Sequence, residues 1–413
     1  MALTKVSYSM IQGEIYNVLD YGADPTGVND SLSAIQAAIN AAQNGVNTVF
    51  FPAGTYKTTG SIVVTRSVNL VGAGAPCTKI QPTSALTAPC IQYGVQGNTP
   101  RPGATACQIT GLNLDGVNTV NANAAGLTIW CSHVDIHDNT IQNFAGYGIR
   151  AIASWSNSIR VNWIYNNAKT NILLEAQCNA FVVDGNYILK SGEHGVLLQG
   201  CSKAVVTNND IETNVGNGIR VEQSNIQAMR GVYISNNYFE VNNAASSPPE
   251  DIYVNESSGE ISGLTISYNY HETLAKITIA NITSAYVQNN SRATVYYTNF
   301  DGTNVTTVNQ TLGNYDTTVD NLTYSNNVLA DRTNGYQVFG RLAKFRVFSK
   351  NTGVTNEIFN CATSGSDATG YLGGSLKLKP VTAANAQLVS IYVSSVDGKL
   401  YFKDAAGVSN ALY

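Results

Sequence analysis

Residues 171–222 read NILLEAQCNAFVVDGNYILKSGEHGVLLQGCSKAVVTNNDIETNVGNGIRVE. NILLE, GVLLQ and GIRVE begin at Asn171, Gly195 and Gly218, while CNAFVVDGN and CSKAVVTNN begin at Cys178 and Cys201. The same residue types return in the same order every 23 or 24 residues, as they do when one structural unit is stacked repeatedly. Several short apolar runs per period suit a coil of three strands, each lying about 4.8 Å above its predecessor through parallel hydrogen bonds.

Working outward, GLTIW at Gly126, GIRAI at Gly148 and DIYVN at Asp251 extend the series. The steps are 22, 23, 24 and 23 residues and then 33, so a loop is expected around Asn242 to Glu250. Aligning Leu112, Ile136, Ile159, Val183, Val206, Ile234 and Ile266 puts Asp115, Asn139, Asn162, Asn186, Asn209, Asn237 and Asn269 three residues later. A stacked Asn suits a tight turn: it tolerates left-handed backbone, and its amide satisfies backbone groups that the bend strands. Five residues before the anchors lie Cys107, Cys131, Ser154, Cys178, Cys201, Met229 and Ile261. Four cysteines are thus expected to stack in the core as compact hydrophobes. The total of seven, with no CxxC, suggests neither a disulfide framework nor a zinc site.

Composition agrees with one elongated repeat body plus an appendage. The 413 residues are only 12% charged and include 36 glycines, so turns are many. A net charge of -4 without a basic run gives no nucleic-acid footprint. No stretch of 18 apolar residues and no signal-peptide h-region stands out, so membrane insertion is not expected. Before the repeats, Asp30 or Ser31 can cap a helix whose Leu32, Ile35, Ala38 and Ile39 share a face, a lid for the open end of the coil. The expected fold is therefore all-β. A single-stranded right-handed parallel β-helix covers residues 14–300, with a capping α-helix at about 30–43, after an N-terminal segment 1–13. A Thr/Asn-rich connecting region, 301–335, leads to a C-terminal β domain, 336–413, whose KFRVFS, SLKLKPV, VSIYVSS and KLYFKD read as short strands. That domain is a candidate for trimerisation or glycan binding.

VLDYGADPTGVNDSLSAIQAAINAA and FFPAGTYKTTGSIVV resemble the cap and first coils of the pectate-lyase-like β-helix superfamily. ALTKVSYSMI at the start and DGKLYFKDAAGVSNALY at the end resemble the flanks of bacteriophage tailspikes within it. The resemblance implies a homotrimer on a virion tail, attached through the N-terminus to a tail or baseplate protein, that binds and usually cleaves a bacterial surface polysaccharide. It implies no cofactor here, since a calcium-binding acid cluster like that of pectate lyases is missing, as is the NTD, DD, GHG and RIK set of polygalacturonases.

In this superfamily the Asn turn joins the second and third strands, so the GIRAI-type strands are the first, which usually floors the saccharide groove. Two-residue alternation then sends Trp130, Ile152, Glu175, Gln199, Glu222 and Asn255 outward in one column, and Thr128, Arg150, Leu173, Leu197, Arg220 and Tyr253 in the next. Glu175 and Glu222, two coils apart, are candidate acid and base for glycosidic hydrolysis with inversion, and Gln199 is placed to hold a hydroxyl or water between them. The plainer reading is two solvated strand carboxylates, with Glu222 merely paired to an arginine. Glu193 and His194, at the rim, are candidates for sugar binding or base catalysis; Trp130, Tyr147 and Tyr253 are candidates for stacking on sugars. Elimination on a uronic-acid polymer, with Arg150, Lys169, Arg220 and His194 in attendance, is the rival reaction, and a non-catalytic glycan-binding spike the rival class.

Overall fold

A computed structural model describes residues 15–298 apart from 43–46, 96–106, 223–227, 256–260 and 281–283, and shorter segments between 304 and 411. It forms two compact units, 1–343 and 344–413. The first is a right-handed parallel β-helix. One coil shows the plan: Ile149–Ile152 makes the first strand, Ser158–Arg160 the second and Trp163–Tyr165 the third. The next coil repeats it with Ile172–Glu175, Val182–Asp184 and Tyr187–Leu189, in parallel and in register. Strands stay short because each coil must turn three times in about 23 residues. Alternate residues point inward, so Ile149 and Ala151 lie under Ile172 and Leu174, and those under Val196 and Leu198, all fully buried. Each such Ile, Val or Leu contributes roughly 1.5–3 kcal/mol.

The helix Leu32–Ala42 turns Ile35, Ala38 and Ile39 to the core. The Asp30 carboxylate accepts from Leu32 N–H at 3.1 Å, and the Ser31 carbonyl receives the first helical bond, from Ile35. Gln36 explains how the helix closes the coil. Its amide donates to the Val63 carbonyl at 2.8 Å and accepts from Val63 N–H at 3.0 Å, replacing bonds that a further coil would supply to that strand.

At the turn between second and third strands, the Asn162 amide donates to Ile136 O at 2.8 Å and to Asn186 Oδ1 at 3.0 Å, while Asn186 Oδ1 also accepts from Asn162 N–H at 2.9 Å. The pattern runs from Asn139 to Asn290. Left-handed backbone was expected at these asparagines. It falls instead on the residue before each: Asp138, Val161, Gly185, Asn208, Asn236, Tyr268 and Asn289 have φ between 50° and 64°. The bend is completed one residue early, leaving the ladder asparagine to point inward.

Two alignments shift. Ile109 pairs with Ile136, and Cys107 with Val134, so Leu112 rather than Asp115 occupies the ladder position below Asn139, to which it donates. The long turn from Gly116 to Gly126 lengthens that coil and displaces the count. Three cysteines, Cys131, Cys178 and Cys201, therefore share the column with Ser154, and Cys107 is buried beside it. The insertion read at 242–250 supplies half of the ten extra residues: Asn242 bonds Asp251 nine residues on, where Asn167 bonds Asn171 four on. The other half lies upstream, since the ladder step Asn209 to Asn237 is 28 residues against 23 for Asn186 to Asn209.

Parallel pairing continues past 300, through Asn304–Val308 and Thr311–Tyr315 to Leu322–Ser325, so three coil strands occupy the stretch read as a connection. The second unit contains two antiparallel groups: Lys344–Asn351, Val354–Ser364 and Asp367–Tyr371, and then Ser390–Val393, Leu400–Lys403 and Ser409–Ala411. Residues 1–13, expected to form an attachment segment, lie outside the described residues.

Candidate functional site

On the first sheet, Ile152, Glu175, Gln199, Glu222 and Asn255 stand in register on successive coils, with Arg150, Leu173, Leu197, Arg220 and Tyr253 beside them. Trp130, half-buried, follows the strand Leu127–Ile129 one coil below Ile152. The groove residues named from sequence thus occupy one face.

Long side chains reshape that face. Arg150 reaches diagonally to Glu175 on the next coil, with Nη2 and Nε both 2.5 Å from Oε1. Ile152 and Leu173 occupy the other two corners of the same square, and the ion pair lies across them. They are 7% and 2% exposed although they point outward. Thr128, also counted on the open face, is buried. The polar strip accordingly narrows to Arg150, Glu175, Gln199, Arg220 and Glu222, with Tyr253 at its edge. Glu222 accepts from Arg220 Nε at 2.7 Å and from Gln199 Nε2 at 3.1 Å, and the Arg220 guanidinium lies 4.7 Å from the Tyr253 ring centroid. Each carboxylate therefore carries a guanidinium partner in the free protein, a pairing anticipated only for Glu222 as the plainer reading.

The rim turn brings Glu193 and His194 to the strand Val196–Gln199. Glu193 accepts from the Thr170 hydroxyl at 3.1 Å and from its N–H at 3.3 Å. His194 Nδ1 accepts from Asn217 N–H at 3.0 Å. That bond fixes the tautomer: Nδ1 is unprotonated, so Nε2 carries the hydrogen. Burial, followed by the charge on Arg220, holds His194 below the ordinary imidazole range. The ring is a neutral donor whose basic nitrogen is already engaged, which favours sugar binding over base catalysis. Lys169 Nζ lies 4.8 Å from the Tyr147 ring centroid, and the Arg150 guanidinium lies 5.6 Å from it. Burial and then Glu193 push its phenol up, so it stays protonated.

A second asparagine ladder escaped the sequence reading. Asn167 accepts from Phe144 N–H, Asn214 from Ser191 N–H and Asn242 from Asn214 N–H, at the turn that leads into the groove strands. Its signal was present: these residues lie five after the ladder positions. Among the described residues, no group of three or more His, Cys, Asp or Glu side chains converges as metal ligands. No helix there is long and apolar enough to cross a membrane.

Residues 15–239 match the model of the Rhamnogalacturonase A/epimerase, pectate lyase-like family. The chain belongs to that family. Mannuronan C5-epimerase AlgE1 of Azotobacter vinelandii is 27% identical over 228 residues, 50% of this chain and 16% of its own length. The chain therefore spans only a small part of that curated relative. Among solved structures of similar fold, the Yersinia enterocolitica family 28 exopolygalacturonase has a TM-score of 0.55 at 13% identity, covering 80% of this chain and 78% of its own. The A-module of A. vinelandii mannuronan C-5 epimerase AlgE4 has 0.54 at 17% identity, covering 79% and 99%. The matched stretch contains the cap helix and the coils from Ile15–Asn17 to Tyr233–Ser235.

Proposed function

We propose that the chain binds a bacterial surface polysaccharide along the first sheet and hydrolyses it between the coils that carry Glu175 and Glu222. The observation that carries the reading is the in-register column Glu175, Gln199, Glu222, with both half-buried carboxylates on the same outward face. Two coil rises separate the strands by roughly 9–10 Å. Side chains tilted toward each other, with Glu175 released from Arg150, would put the carboxyl groups in the range of roughly 6.5–9.5 Å that leaves room for a water between sugar and base. Glu222, held by Arg220 and Gln199, suits the base, since those donors fix its orientation. Glu175 suits the acid once substrate draws Arg150 away from it. His194 Nε2–H and the Glu193 carboxylate supply one donor and one acceptor for sugar hydroxyls at the rim, and Trp130 and Tyr253 supply apolar faces.

Elimination on a uronic acid is the second reading. Lys169 and Arg150, both against the Tyr147 ring, offer cations to a sugar carboxylate, and the relatives named above include enzymes of mannuronan. It needs a base near the acidic carbon, and His194 and Tyr147 are respectively engaged and protonated. That favours hydrolysis. In the tailspike setting that the two ends of the sequence resemble, the chain acts as a homotrimer on a virion tail. Product analysis on a panel of bacterial polysaccharides tests the reaction: hydrolysis releases reducing ends without new ultraviolet absorbance, elimination releases both together, and a binding spike releases neither.

A further inference from the structure

We propose that the third sheet carries a second saccharide site, a slot between two aromatic stacks that takes one pyranose ring of a neutral glycan against the faces of Tyr187 and Tyr238. Residues directly after the ladder asparagines form one outward column on successive coils: Trp163, Tyr187, Asp210, Tyr238 and Tyr270. Trp163 stacks on Tyr187 with centroids 4.8 Å apart and planes at 28°, and Tyr238 on Tyr270 at 5.7 Å and 13°. Because these stacks follow the coil axis, the free face of Tyr187 looks up the axis and that of Tyr238 looks down. Between them stands the coil of Asp210, whose shorter side chain leaves the outer part of the gap open.

The gap spans two coil rises, roughly 9–10 Å. A ring in contact with an aromatic face on each side needs roughly 7–8 Å, at about 3.5–4.0 Å per contact. One puckered sugar ring fits, and two do not. The polar edge suits hydroxyls: Asp210 and Glu212 share a hydrogen bond, and Glu240, which accepts from the Tyr238 hydroxyl at 3.0 Å, stands on the next coil in register with Glu212. These three acids make the site unsuitable for an anionic glycan, hence the neutral class. Past Trp163, in line with the column, a cavity of about 740 Å³ is lined by Val71, Ala75, Thr140, Val161 and Trp163, giving the chain a place to continue. Trp163 is 52% exposed, Tyr187 43% and Tyr270 42%, so this face is open in the single chain.

The site is separate from the groove of the first sheet and does not rest on the activity proposed there. Affinity electrophoresis of the full chain through gels containing dissolved dextran, galactomannan or hydroxyethylcellulose tests it. Retardation in at least one gel is expected. Tyr187→Ala and Tyr238→Ala should each weaken it roughly fivefold, as expected for one lost ring contact, while Tyr187→Phe retains it. A parent chain that is retarded but cleaves nothing counts against the proposed hydrolysis and not against this site. Free migration of the parent in all three gels overturns the proposal, as do alanine variants retarded like the parent. Loss of oligomer mass in those variants with retardation intact assigns the face to subunit packing and overturns it too.

Discussion

Asn186 illustrates how much of this fold rests on single side chains. It is 1% exposed, donates to Ile159 O and Asn209 Oδ1, and accepts from Asn162 N–H. Asn186→Ala leaves the Ile159 carbonyl and Asn162 N–H buried without that partner, at about 1–3 kcal/mol for each group. Urea unfolding should show a loss of roughly 2–5 kcal/mol, against near-neutral change for exposed Asn123→Ala. Val161 presents the opposite case: a β-branched residue at φ 54°, half exposed, where its neighbours on the same turn are Asp138 and Gly185. Val161→Gly should stabilise by about 1 kcal/mol, seen as a higher urea midpoint with unchanged slope. The asparagine column was legible because identity and spacing coincide. The left-handed position was not, because Asp, Val, Gly, Asn and Tyr share no chemistry there.

At the scale of the element, strands specify register and long side chains specify what the register exposes. Alternation in ILLE and IRVE placed Glu175 and Glu222 on one face, whereas the Arg150–Glu175 diagonal that buries Leu173 depends on reach across coils, which no periodicity records. The third sheet was passed over for a related reason. Its Asp210, Glu212 and Glu240 look like solvated acids until pairing sets them side by side. Burial and the hydrogen-bonded Asp210 push Glu212 up to about 7, and burial raises Asp210. Glu240 adds to the shift and Lys190 opposes it. The raised acid binds its proton more tightly in the folded state, so its stabilisation is complete below the unfolded value near 4.5 and is lost as pH rises through about 7. Between pH 5 and 8 the stability should fall by about 1 kcal/mol or less after solvent screening, read as a lower melting temperature. Glu212→Gln should flatten that slope. The lowered carboxyls of Asp24, Asp30 and Asp135 act in the opposite sense, on the acid side of this window.

The first unit is a stack in which each coil completes the hydrogen bonds of the one before, closed at one end by Gln36 on the cap helix. Its thiols report that closure. Cys90, Cys107, Cys131, Cys178 and Cys201 are buried, and burial pushes the Cys90 thiol up to about 12, while Cys77 is exposed. A thiol reagent should modify Cys77 at once and those five only after denaturation; rapid native labelling of Cys178 or Cys201 would refute the inward column. Architecture was legible from sequence because the period repeats. The reaction was less so, because it depends on two acids of ordinary type in ordinary strand positions. Its most direct test is reducing-end release from a bacterial polysaccharide that the parent protein cleaves, measured with Glu175→Gln and Glu222→Gln. Hydrolysis in the first-sheet groove predicts that each folded variant loses at least roughly 100-fold in rate, without new ultraviolet absorbance in the parent digest. Full activity in both variants would contradict it.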